Sequence, residues 1–182
     1  MKSALIVYAT REGQTGKVAT RISTQMASTG ANVRLVNAKD RDLTDCTNFD
    51  RYVLLIFGAS MHAGGLEKEL TEFVNGNKEK IELKQRSFFL VLLSAATKDP
   101  ALKAKSLADA CRKMEEQLHV SFDDVEMIAG ALRYSQYSLP LKWMMRRIAR
   151  NAGEATDMSR DYEYTDWQQV ERYATRLVKT LA

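Results

Sequence analysis

The sequence predicts an α/β fold: a doubly wound sheet of five parallel strands, with a long insertion between the fifth strand and the last helix. Three observations carry that expectation. Short apolar runs alternate with amphipathic helical stretches along the chain. Two of those runs, Arg51–Gly58 and Ser87–Leu93, are apolar at nearly every position, as strands covered on both faces must be. A third run, Ala4–Ala9, breaks directly into a loop of hydroxyl, glycine and amide residues and then a helical pattern, the layout of a βα unit.

The elements follow in order. Ala4–Ala9 reads as the first strand. A helix is predicted over Gln14–Thr29, with Val18, Ile22 and Met26 on one stripe and Gly30 at its C-terminal cap. Asn32–Asn37 alternates and reads as a less buried flanking strand, followed by a polar loop to Asp50. After the third strand at 51–58, a short helix is predicted over Leu66–Asn75, burying Leu66, Leu70, Phe73 and Val74. The fourth strand at 87–93 leads to a helix over Ala101–His119. Its predicted inner stripe is Ala104, Leu107, Cys111, Met114 and Leu118. Val125–Ala129 is the fifth strand. Asp166–Leu181 is the last helix, capped by Asp166 or Thr165, with Trp167, Val170, Ala174, Leu177 and Leu181 inward.

Composition narrows the class. The 182 residues suffice for one domain with a full core. The chain is 45% hydrophobic and 27% charged, a globular composition, and no apolar run approaches a membrane span. The first strand begins at once, so no secretory signal is expected. Cys46 and Cys111 lack any CxxC or metal-ligand spacing, which fits a reducing compartment. The net charge of +4 is mild, so its placement matters more than its total.

Ligands of doubly wound sheets sit at the carboxyl ends of the strands. Three loops converge there. The first, Thr10-Arg11-Glu12-Gly13-Gln14-Thr15, offers hydroxyls, a glycine and the free N–H groups of a first helical turn. It lacks the Gly-Lys-Ser/Thr of a nucleotide P-loop and the G-x-G-x-x-G of a dinucleotide site. It therefore suits a single phosphate monoester, although an ordinary capped turn uses the same residue types. The other two, Ala59-Ser60-Met61-His62-Ala63-Gly64-Gly65 and Ser94-Ala95-Ala96-Thr97 up to Pro100, are built of small residues able to flank a flat ring. Flavodoxin, with strand order 2-1-3-4-5 and FMN at the switch between its first and third strands, is an instance of this layout. FMN fits better than a nucleoside triphosphate, because no magnesium-binding carboxylate follows the third strand. A phosphorylatable aspartate after that strand is also absent, which excludes a response regulator.

The segment 130–165 exceeds what a connection to the last helix needs. Within it, 133–150 carries Arg133, Lys142, Arg146, Arg147 and Arg150 and no acidic residue. From Pro140 onward Leu141, Met144, Met145, Ile148 and Ala152 form one helical face, Lys142, Arg146 and Arg150 the other, and Trp143 the border. Such a helix suits a membrane surface or a large anionic, apolar ligand; the alternative is a helix packed on its own domain with a solvated basic face. Nucleic acid is not expected, because no binding module surrounds the basic residues.

These residues together resemble a family. The phosphate loop, the run Ile128-Ala129-Gly130-Ala131-Leu132-Arg133-Tyr134, the Trp143-Met144-Met145 insertion, and Gly153–Asp157 with Tyr164-Thr165-Asp166-Trp167 are similar to the flavodoxin-like, quinone-dependent protoporphyrinogen IX dehydrogenases of bacterial haem synthesis. The resemblance covers nearly the whole chain. It implies FMN as prosthetic group, its phosphate on Thr10–Thr15 and its ring between Ala59–Gly64 and Ser94–Thr97. It implies removal of hydrogen from protoporphyrinogen IX in two-electron steps, with electrons passed to a membrane quinone, menaquinone or ubiquinone. The enzyme would lie in the cytoplasm, in peripheral contact with the anionic inner face of the cell membrane. A homo-oligomer is compatible with the sequence.

Two departures stand out. Ordinary flavodoxins place a hydroxyl residue where Glu12 sits; beside a phosphate its carboxylate should point outward or be offset by Arg11. The loop Met61–Gly65 has no ring-stacking aromatic apart from His62, which leaves that flavin face open to a bulky substrate. His62 is the weak candidate for a catalytic group, by stacking or by passing a proton; it also reads as a solvated loop histidine. Arg133 suits a substrate propionate, or a structural ion pair with the region of Glu154 and Asp157, and Tyr134 stands beside it. No Ser-His-Asp or metal cluster is visible in the sequence. The competing readings are a flavodoxin-type electron carrier, an NAD(P)H-quinone reductase without a porphyrin substrate, and a non-enzymatic binding module.

Overall fold

In the computed structural model, residues 3–40, 43, 46–62, 64–151 and 156–181 are described. Five strands form one parallel sheet: β1 (Ser3–Tyr8), β2 (Asn32–Asn37), β3 (Leu54–Ser60), β4 (Gln85–Leu92) and β5 (Asp124–Ala129). Their order is β2-β1-β3-β4-β5, as expected. Its helices are α1 (Gln14–Ser28), α2 (Lys68–Gly76), α3 (Lys78–Glu82), α4 (Pro100–Gln117), α5 (Leu139–Asn151) and α6 (Trp167–Thr180).

Side-chain alternation divides the core into two layers. On β1, Leu5 and Val7 face one side with Leu55, Phe57, Phe88 and Leu90, covered by Leu70, Phe73 and Val74 of α2 and Ala110 and Met114 of α4. Ala4 and Ile6 face the other with Ile56, Phe89, Val91 and Ile128, covered by Val18, Ile22 and Met26 of α1 and Val170, Tyr173 and Leu177 of α6. Burial on both faces is why β3 and β4 read as continuous apolar runs. Gly58 on β3 pairs in register with Phe89 on β4, and a Cβ on Gly58 would collide with that ring.

Helix starts follow local chemistry. Asp99 caps α4 by accepting from the N–H groups of Ala101 and Leu102, with Pro100 in the first turn. Asp166, not Thr165, caps α6, accepting from Gln168 and Gln169. The expected inner stripe of α4 holds at Met114 and Leu118, which are buried, and fails at one position. Ala104 is exposed, Ala110 is buried, and Leu107 and Cys111 are partly buried against the core. The third strand begins later than expected, because Arg51 closes a 3₁₀ turn over Phe49–Arg51. The short α3 carries no pattern that its five residues could make visible.

The insertion is folded rather than loose. Its two short strands, β6 (Ala131–Leu132) and β7 (Tyr162–Glu163), pair antiparallel. Leu132, Tyr134, Tyr137 and Ala149 bury themselves in a third small core, with Leu141, Met145, Met158 and Tyr162 packed around it. Ala152, expected on the apolar face of α5, lies outside the described residues.

Candidate functional site

The loops after β1, β3 and β4 meet in a cleft of about 510 Å3, with α4 along one wall and α5 along another. That volume falls in the range of small-molecule and cofactor sites, about 300–1,000 Å3.

The loop after β1 forms the polar end. Gly13 adopts φ +87°, the left-handed conformation that favours glycine, and α1 begins there when Lys17 N–H bonds to Gly13 C=O at 3.1 Å. Thr10 Oγ1 accepts from Gly13 N–H at 2.9 Å, leaving its own hydroxyl proton to donate. The helix leaves the N–H groups of Gln14, Thr15 and Gly16 without a carbonyl one turn behind them. Gln14 and Thr15 are buried, and no acidic residue occupies the first turn of α1. An anion fits this end.

Glu12 neither points away from the cleft nor pairs with Arg11. It lines the cleft, and its Oε2 accepts the hydroxyl proton of Tyr137 at 2.9 Å. Tyr137 Oη in turn accepts from Arg133 N–H at 3.3 Å. Burial, and the Glu12 carboxylate beside it, push the Tyr137 phenol well above its ordinary range, so it stays protonated and donating.

Ser60, Met61, His62 and Gly64 after β3, and Leu93 and Ser94 after β4, line the middle of the cleft. Ala59 and Ala95 are buried in the core beneath them; Thr97 is also buried, and Ala96 packs against the core. Ala63 lies outside the described residues. The β3 loop is stiffened from behind. His62 and Gly65 exchange backbone hydrogen bonds, Gln117 of α4 accepts from Leu66 N–H at 2.8 Å, and the buried Glu67 accepts from Ser60 N–H at 3.1 Å. Burial pushes the Glu67 carboxyl up, but hydrogen bonds from His62 and Ser60 outweigh it and hold the group below its usual range.

The insertion supplies an apolar wall: Leu141, Met144, Met145 and Ile148, one face of α5, all line the cleft. Its basic residues are divided. Arg133 does not reach the cleft. Its guanidinium donates to Gln14 Oε1 at 2.9 Å and pairs with Glu163 at 3.4 Å and Asp161 at 3.7 Å. The expected ion pair therefore forms, but with β7 and Asp161 in place of Asp157, while Glu154 lies outside the described residues. Tyr134 is fully buried in the insertion core. Arg146 stacks its guanidinium 5.4 Å from the centre of the Trp143 ring, and its Nε is buried, so it is not part of a solvated basic face. Arg147 and Arg150 are exposed, and Lys142 is half-buried. Trp143 is 61% exposed and Leu139 73% exposed.

Three features were missed in the sequence. Lys113 on α4 lines the cleft, and no described residue pairs with it. Glu67, buried at the start of α2, has no sequence signal of burial beyond its position after apolar Leu66. The bridge from Gln14 to Arg133, completed by Gln14 Nε2 donating to Thr165 Oγ1 at 2.8 Å, spans 119 and 151 positions and has no local signature. Among the described residues no His, Cys, Asp or Glu group is arranged to hold a metal.

The comparisons with known proteins agree with this architecture. The chain is 28% identical over 173 residues to the protoporphyrinogen IX dehydrogenase [quinone] of Escherichia coli strain K12, covering 95% of this chain and 93% of that one. It is 27% identical over 172 residues to the protein of the same name from Leishmania major, covering 94% of this chain and 72% of that one. A short-chain flavodoxin associated with a bacterial microcompartment superposes with a TM-score of 0.57 over the full length of both chains, at 15% identity, which is a likeness of fold. The family described as Flavodoxin domain matches residues 5–159. A parallel sheet in the order β2-β1-β3-β4-β5, an anion-fitting loop at its first switch point and that family match lead to one conclusion: the chain belongs to the flavodoxin domain family.

Proposed function

We propose that this chain is an FMN-dependent protoporphyrinogen IX dehydrogenase that passes electrons to a membrane quinone, menaquinone or ubiquinone. The observation that carries the reading is the cleft itself. One end is a neutral anion loop, the middle is flanked by Ser60–Gly64 and Leu93–Ser94, and the far wall is the apolar face of α5. An electron carrier needs only the first two parts. An apolar wall facing the flavin position suits a flat, bulky macrocycle. The names of the relatives from Escherichia coli and Leishmania major support the same substrate and acceptor.

The residues present fit FMN. Its phosphate suits the free N–H groups of Gln14–Gly16 and the hydroxyls of Thr10 and Thr15; its ring suits the slot between the β3 and β4 loops. When bound, FMN supplies two-electron redox chemistry. The chain's own residues orient the substrate. Arg11 and Lys113 are the cations lining the cleft, so they, rather than Arg133, suit the propionates. Leu141, Met144, Met145 and Ile148 exclude water from the macrocycle. The outward side of α5, with Leu139, Trp143, Lys142, Arg147 and Arg150, suits peripheral contact with the anionic inner face of the cell membrane, where quinone resides. No helix of the described residues is long and apolar enough to cross a membrane.

The test is anaerobic turnover. Protein loaded with FMN is expected to convert protoporphyrinogen IX to fluorescent protoporphyrin IX with menaquinone in anionic vesicles as acceptor. A protein that takes up no FMN would overturn the reading. A yellow protein that leaves the porphyrinogen untouched would leave a carrier or a quinone reductase.

A further inference from the structure

His62, Ser60 and Glu67 form a hydrogen-bonded chain that holds a polar ring at the cleft. Glu67 is almost wholly buried, its side chain 3% exposed. Its Oε1 accepts from Ser60 Oγ at 2.5 Å and lies 3.3 Å from His62 Nε2, while Ser60 Oγ lies 2.9 Å from the same nitrogen. The carboxyl is held below its usual range, so at neutral pH it is a carboxylate and can only accept. Ser60 has one hydroxyl proton and gives it to Glu67. Its oxygen is then left to accept from His62, so Nε2 must carry the ring proton. In the neutral imidazole the lone pair is therefore on Nδ1. No described residue bonds to Nδ1, and His62 lines the cleft between the anion loop and the α4 wall.

This is the logic by which a buried carboxylate fixes the tautomer of a general base and balances the imidazolium that forms, here with the two ring nitrogens exchanged and a serine hydroxyl bonded to both partners. The other charged groups of the cleft are Arg11 and Glu12 on the β1 loop and Asp109 and Lys113 on α4. Glu12 is occupied by Tyr137, and Asp109 by Arg112 at 2.7 Å. His62 is thus the one imidazole lining the cleft, and its Nδ1 has no partner among the described residues.

We propose that His62 Nδ1 accepts the proton released in each two-electron step of the dehydrogenation, with Ser60 and Glu67 as positioning residues. The proposal rests on the dehydrogenase reading above. In each step the macrocycle loses a hydride equivalent and a proton. The hydride equivalent goes to the flavin, and the proton forms a new N–H bond at Nδ1. The resulting imidazolium, balanced by the Glu67 carboxylate 3.3 Å from Nε2, returns the proton to water before the next step.

The chain has only two histidines, so two-bond 1H–15N spectra of the FMN-loaded protein resolve the His62 ring directly. The Nε2–H tautomer is expected in the wild type and a mixture of tautomers in E67Q and S60A. H62Q is expected to retain FMN and lose about 100-fold in kcat, the lower range for removing a general base. E67Q should lose about 10-fold in kcat with KM unchanged, a smaller share of the same effect because the ring remains. An Nδ1–H tautomer in the wild type, or an H62Q variant with undiminished kcat beside an active wild type, would overturn the proposal alone. A wild type that loads FMN and turns over no porphyrinogen would overturn it together with the dehydrogenase reading.

Discussion

Tyr137 and Glu12, 125 positions apart, share a 2.9 Å hydrogen bond that ties the insertion to the loop after β1. This bond explains how a carboxylate is tolerated beside an anion site: its Oε2 is turned to a phenol that cannot ionise at ordinary pH. The tie neutralises no charge, so some repulsion toward a bound phosphate persists.

Glu12→Gln should therefore tighten FMN about 10-fold, equivalent to about 1.4 kcal/mol, while leaving riboflavin binding unchanged. Thr15→Val should act oppositely, weakening FMN about 10-fold through a lost hydroxyl to the phosphate, again with riboflavin unaffected. Flavin fluorescence titrations with both ligands read the difference. Equal effects on the two flavins would remove the phosphate from this loop.

Alkaline stability should track buried phenols, of which Tyr173 and Tyr137 are raised furthest. Burial raises Tyr173, fully enclosed and bonded to Ser87 at 2.6 Å, and burial likewise raises Tyr137. Both are protonated when folded and ionise near pH 10 when unfolded. Their contribution is complete below about pH 10 and is lost as pH rises beyond it, at about 1.4 kcal/mol per pH unit for each group. Urea midpoints measured from pH 9 to 11 should fall steeply in the wild type. In Tyr173→Phe they should fall less steeply by one group's share, from a starting stability about 1 kcal/mol lower. Identical slopes would contradict the assignment.

Vesicle binding should depend on three cations of α5, not four. Lys142→Gln, Arg147→Gln and Arg150→Gln together should weaken partition onto phosphatidylserine-rich vesicles about 100-fold, at about 1 kcal/mol per cation. Arg146 is excluded because it is spent on Trp143. Co-sedimentation measures the loss, and FMN content should stay constant. If FMN content falls instead, the basic face of α5 also serves the cleft and not a membrane surface.

Gly58→Ala should cost about 3 kcal/mol, the upper part of the range for overpacking a dense core. Its new methyl group would meet the Phe89 ring on the adjacent strand. Trimming that ring with Phe89→Leu in the double variant should recover part of the loss, seen as a non-additive thermal midpoint.

Much of this architecture is written locally. The runs at β3 and β4 are apolar because two layers cover them, and β2 shows its edge position by alternating. The three cleft loops were visible because each follows a strand. What stayed hidden is held by distant partners. Arg133 suits a substrate propionate and an ion pair equally until β7 and Gln14 are brought to it. Arg146 falls on the polar side of a helical wheel, yet its guanidinium stacks on the Trp143 ring and its Nε is buried. Glu67 and Lys113 are ordinary charged residues in sequence, and only the packing of α2 and α4 makes one buried and turns the other into the cleft.

Gln14 stands in the first turn of α1, yet both ends of its amide are held by residues near the other end of the chain, Arg133 and Thr165. Thr165 also donates to the last carbonyl of β5, Ala129. During synthesis the β1 loop leaves the ribosome more than a hundred residues ahead of these bonding partners. The anion loop is therefore completed only once Arg133 and Thr165 have been made, and a nascent chain that ends before β7 lacks the finished loop.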